Sequence, residues 1–152
     1  MRFLEGHTYE DSIWTLNLLY NSKKVCVMEE PFYLYLWKRK DSISTDFSPK
    51  NYFDKLMSCQ NICNFTEKKG FMDSCKKVVN AKANYMYSSL LFEIWNFTKK
   101  ERKDIWKQLK GMRKILKYSD RHVHNLLYFV SYIIGLAGVG YLLKLRVHLI
   151  AR

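Results

Sequence analysis

The chain has 152 residues and a mass of 18.3 kDa, about the size of one ordinary domain. Hydrophobic residues at 48% and charged residues at 26% exclude a disordered chain, and 6 Gly with 2 Pro exclude collagen-like or Pro-rich material. The net charge is +12, and the absence of any GxGxxG or GxxxxGK[ST] argues against a complete nucleotide-binding α/β enzyme.

The first predicted element follows a turn at Gly6. Thr8 opens a helix to about Asn21, with Ile13, Trp14, Leu16, Leu18 and Leu19 as a loosely patterned apolar face. Thr8 and Asp11 match the capping box, in which the hydroxyl accepts from the third backbone N–H and the acid reaches back to the cap's own N–H. Two short strands come next, Val25–Met28 and Phe32–Trp37, joined tightly through Glu29, Glu30 and Pro31. Residues 38–49 read as a loop. From Asn51 onward only helices are expected: Tyr52–Glu67, stopped near Gly70, then Phe71 to about Phe97, then Lys99–Tyr118 with the stripe Ile105, Leu109, Met112 and Leu116. The last element is the uncharged run Leu126–Leu143, 18 residues between Arg121 and Lys144. A spanning helix needs ~20 apolar residues. Monotopic or re-entrant insertion is the first reading of this run, a full span the second, and a buried core helix the plain structural one.

The charge is unevenly placed. Residues 1–58 hold eight acids and eight bases, whereas residues 59–152 hold 18 bases against 6 acids. Residues 99–121 alone carry ten bases and three acids. Such asymmetry points to a polyanionic partner, either nucleic acid or an anionic membrane. The uncharged run favours the membrane, and no zinc finger or RNA-recognition motif supports nucleic acid, so no nucleic-acid partner is expected. Cys26, Cys59, Cys63 and Cys75 form no CxxC pair, and free thiols are the expectation. With no apolar leader at the start, the chain is expected in the cytoplasm.

The segment Phe3–Trp14, FLEGHTYEDSIW, resembles the acceptor-side motif of family 2 glycosyltransferases of the GT-A fold. The order downstream is similar too: Lys23-Lys24-Val25, the aromatic stretch Pro31–Trp37, then Arg39 and Ser42-Ile43-Ser44. The match covers roughly residues 3–47. The resemblance implies transfer of a sugar from a nucleotide-diphosphate donor to a hydroxyl of a glycan acceptor, with inversion, in cell-surface polysaccharide synthesis. Inversion by single displacement needs one base on the acceptor side, and a carboxylate suits that role. Carried over, Asp11 is the general base, Glu10 orients the acceptor or the helix end, and Gly6 permits close approach of the chain to the sugar. Arg39 and Ser42 contact donor phosphate or acceptor. On spacing alone, Asp11 is equally a capping acid and Glu10 a first-turn acid favoured by the helix dipole. His7 reads as a polar loop residue.

The implied fold is α+β and predominantly α: a short β-hairpin plus a helical C-terminal region, the C-terminal part of a GT-A type transferase. Residues 1–48 then form the acceptor-side end of the catalytic domain, 49–120 a basic helical region, and 121–152 an apolar membrane-associating segment. The donor half, with its D-x-D and its Mn or Mg, is expected to precede Met1, since no D-x-D occurs among the 14 acids. The expected location is the cytoplasmic face of the plasma membrane, peripheral or monotopic. The alternative to an enzyme part is a basic, membrane-peripheral helical scaffold without catalysis.

Overall fold

Ser48 and Pro49 set the first long helix. The Ser48 hydroxyl accepts from the Asn51 N–H at 3.3 Å, and Pro at the first helical position loses nothing by lacking an N–H. The computed structural model describes residues 6–31, 33–34, 48–118 and 122–150, with only the backbone course for 122–125 and 146–150. Within them lie α1 (Glu10–Asn21), α2 (Pro49–Lys68), α3 (Asp73–Glu93), α4 (Lys99–Gly111), α5 (His122–Ile133) and α6 (Gly135–Ile150). Short 3-10 turns occupy Ile94–Asn96 and Arg113–Lys117.

The centre is an antiparallel pair, α2 with α3, closed by a turn in which Gly70 takes φ +62. Its two ends are tied separately. At one end the Tyr52 hydroxyl donates to the Leu90 carbonyl at 2.8 Å, and Lys55 pairs with Glu93 at 2.7 Å. At the other, the Thr66 hydroxyl donates to Asn80 Oδ1 at 3.0 Å. Leu56, Cys59 and Ile62 of α2 face Ala83, Tyr87, Leu90 and Leu91 of α3 in the core. The α4 segment closes over this pair: Asn84 Nδ2 donates to the Ile115 carbonyl, and the Tyr87 hydroxyl to the Leu109 carbonyl at 2.6 Å. The expected stripe is seen, with Ile105, Leu109 and Leu116 buried. The single Lys99–Tyr118 helix is not: it stops at Gly111 and continues as a 3-10 turn. Similarly, α3 ends at Glu93 rather than running to Phe97.

The uncharged run is divided. At Gly135 the backbone takes φ +73, which a side chain resists, and the run bends into α5 and α6. Leu136 and Val139 of α6 are core residues packed on α3. Gly140 meets α3 so closely that an added Cβ would lie 2.2 Å from the Leu91 carbonyl oxygen. No helix among the described residues is long and apolar enough to cross a membrane. Part of the run is therefore core, as the plain reading had it.

Among the described residues the fold is predominantly α. The expected β-hairpin is a correction: no strand occurs among the described residues. Val25, Val27 and Met28 lie in exposed irregular chain, and Phe32 with residues 35–37 falls outside the described residues. Strand propensity alone does not make a strand. An isolated two-stranded hairpin is marginal without a third strand or a covering helix, and nothing among the described residues covers Val25–Met28.

Candidate functional site

The motif Gly6–Asp11 is a loop that enters α1, and α2 holds it in place. Gly6 sits at φ +76 with open space where a Cβ would go, so its backbone angle and not crowding favours glycine. The loop's polar groups converge on one carboxylate. Asp54 accepts from the Thr8 N–H at 3.0 Å, from His7 Nδ1 at 3.0 Å, from the Thr8 hydroxyl at 3.2 Å and from Lys50 Nζ at 3.3 Å. Lys50 also donates to the Gly6 carbonyl at 2.7 Å. Burial by itself would raise the Asp54 pKa. The bonds from the Thr8 N–H, His7, Lys50 and the Thr8 hydroxyl outweigh it and bring the carboxyl down to about 2. Asp54 is therefore ionised and fully engaged at neutral pH, as an anchor.

The capping box expected at Thr8 does not form. The helix starts two residues later, at Glu10, and its cap residue Tyr9 makes no side-chain cap bond. Tyr9 takes φ 64, a left-handed conformation rare for a bulky side chain. Two contacts with α2 accompany it: the Ser58 hydroxyl donates to the Tyr9 carbonyl at 2.9 Å, and Lys55 Nζ stands 5.8 Å from the Tyr9 ring centre. Asp54 takes the Thr8 N–H that the box acid would accept, and Thr8 lies outside α1, one residue before its cap. The box signature is realised instead at Thr98 and Glu101, which exchange both bonds at the start of α4.

Glu10 and Asp11 follow directly in the first turn of α1. Glu10 is half-buried and lines a shallow cleft with His7, Ile13, Met57, Ser58 and Asn61. Asp11 is exposed and stands outside that lining. The structure thus brings Gly6, Glu10 and Asp11 to one loop-to-helix junction. Arg39 and Ser42 lie outside the described residues. Sequence reasoning missed the anchor, Asp54, and missed His7 as its partner. Their separation of 47 residues leaves no local signal.

The far end of α1 is fastened by rings. Tyr20 stacks on Phe71 at 5.5 Å and meets Phe65 edge-on at 5.8 Å. No residue of α1 is fully buried; Leu16 packs on the core, and these rings with the Asp54 cluster complete the hold on α2. Among the described residues no cluster of three His, Cys, Asp or Glu side chains offers a metal site. Cys59 and Cys63 are free thiols, pushed by burial up to about 12 and about 11, too high to act as nucleophiles at neutral pH.

Comparison of the chain with protein-family models, with curated proteins and with solved structures returns no match.

Proposed function

We propose that this chain carries the acceptor side of an inverting, family 2-like glycosyltransferase that builds a cell-surface polysaccharide. The observation that supports this reading is the junction itself. A loop with two left-handed residues is fixed by a buried carboxylate, and two consecutive acids follow it in the first turn of a helix. The capping-box role of Asp11 is absent, since the cap at this helix carries no side-chain bond, while the helix dipole still suits both acids in its first turn. In the proposed reaction Asp11 takes the proton of the acceptor hydroxyl. The hydroxyl oxygen bonds to the anomeric carbon as the bond to the nucleotide diphosphate breaks. Glu10, on the cleft, orients the acceptor. Arg39 and Ser42 remain proposed contacts to donor phosphate or acceptor. The donor half and its metal belong to polypeptide outside these residues.

The test is made in the cell that carries the gene. Deleting the coding sequence should change the surface polysaccharide, and Asp11→Asn at normal abundance should reproduce the deletion. A polysaccharide left intact by Asp11→Asn would remove the base assignment. One left intact by the deletion would remove the enzyme reading in favour of the helical scaffold.

A further inference from the structure

The outward face of α5 is apolar and uncovered. Leu126, Phe129 and Ile133, spaced three and four apart, are 60%, 65% and 83% exposed. The opposite face, with Leu127, Val130 and Ser131, packs inward. Beside the exposed stripe stand two phenols. The hydroxyls of Tyr128 and Tyr132 lie 2.9 Å apart. A cation sits on each ring: Lys117 Nζ is 4.8 Å from the Tyr128 ring centre, and Arg113 Cζ 4.5 Å from that of Tyr132. Exposed Lys110 and Lys114 extend the charge, and no acid occurs between Lys107 and Lys117. In the sequence Glu101 and Asp104 precede this basic run, and Asp120 follows it before α5.

We infer that this face, α5 with the 113–117 turn, docks on an anionic lipid bilayer. Phe129 and Ile133 enter the acyl boundary while Arg113, Lys117 and the two tyrosine hydroxyls meet headgroup phosphates. Each side of the arrangement needs the other. A polynucleotide would use the cations but gains nothing from Ile133. A neutral apolar partner would leave the cations without counter-charge. A helix of 12 residues is about 18 Å long, too short to span, so it lies in the interface plane. Aromatic rings with polar tips beside basic side chains are the composition that the headgroup region favours. This inference stands independently of the glycosyltransferase reading.

The purified chain is mixed with phosphatidylcholine vesicles, with and without phosphatidylglycerol, and sedimented. Binding should require phosphatidylglycerol and weaken with salt. The exposed double variant Phe129→Glu, Ile133→Glu should bind at least ~10-fold more weakly at an unchanged melting temperature. A second variant, Lys114→Glu with Lys117→Glu, should lose the preference for anionic vesicles. Absence of binding, or binding that neither variant alters, overturns the inference. So does a dimer in light scattering that the Phe129→Glu, Ile133→Glu variant dissolves, because the face then belongs to a second copy of the chain.

Discussion

Replacing Gly140 by Ala should destabilise the protein, although the rule for exposed helices says the opposite. In a helix interior, Ala is favoured over Gly by ~1 kcal/mol. At this position the added methyl would lie 2.2 Å from the Leu91 carbonyl oxygen, and 3.0 Å from its carbonyl carbon. The obstacle is α3 backbone, which cannot rotate aside as a side chain can. Restoring ordinary contact requires α6 to back away from α3 by about 1 Å, loosening Leu136 and Val139 where they meet the core. Overpacking of this kind costs ~1–3 kcal/mol, and backbone contact places it at the upper end. After the propensity gain, the net loss is about 2 kcal/mol. For a chain of this size that lowers Tm by roughly 4–8 °C. Thermal unfolding followed by circular dichroism measures it. Gly111→Ala is the internal control, because nothing lies within 4 Å of its added Cβ. It should hold or raise Tm. A Gly140→Ala protein that melts at or above the wild-type temperature would refute the close approach of α6 to α3.

Further expectations concern the loop and the caps. Asp54→Asn should cost about 2 kcal/mol at pH 7, since the folded carboxyl titrates at about 2 against an ordinary 3.8. Its folded pKa is lowered, so the stabilisation is present above about pH 4 and lost as pH falls toward 2. Urea titrations of both proteins across that window should converge at the acid end, and a gap independent of pH would contradict the anchor. Thr98→Ala should cost ~1 kcal/mol through the capping box of α4, read from the urea midpoint. Asp11→Asn, being exposed, should leave that midpoint within ~0.5 kcal/mol of wild type.

The helices were legible where one face meets the core. Ile105, Leu109 and Leu116 recur at helical spacing and are buried where that spacing puts them. The interruption at Gly111 was not, because the same stripe runs through it. The two capping signatures show the limit more sharply. Thr8-x-x-Asp11 and Thr98-x-x-Glu101 look alike in sequence, yet only the second forms. What separates them is Asp54, which chain folding brings from 46 residues away to take the Thr8 N–H that Asp11 would have accepted. For the candidate site, Gly6, Glu10 and Asp11 could be named from the motif. The carboxylate that fixes their loop could not, since α2 presents it as an ordinary helical acid. The Val25–Met28 strand failed for the converse reason: strong local propensity without a partner.

Tyr9 holds a left-handed backbone that costs ~1–3 kcal/mol for a residue of its bulk. Glycine would relieve that cost and would also let the chain swing freely at the hinge into α1. The tyrosine closes that freedom, its carbonyl fastened by Ser58 and its ring lying under Lys55. Stability and stiffness therefore pull against each other at this one residue. The chain has settled on stiffness immediately ahead of Glu10 and Asp11, so the direction in which those two carboxylates leave the helix is decided by a neighbour that carries no charge.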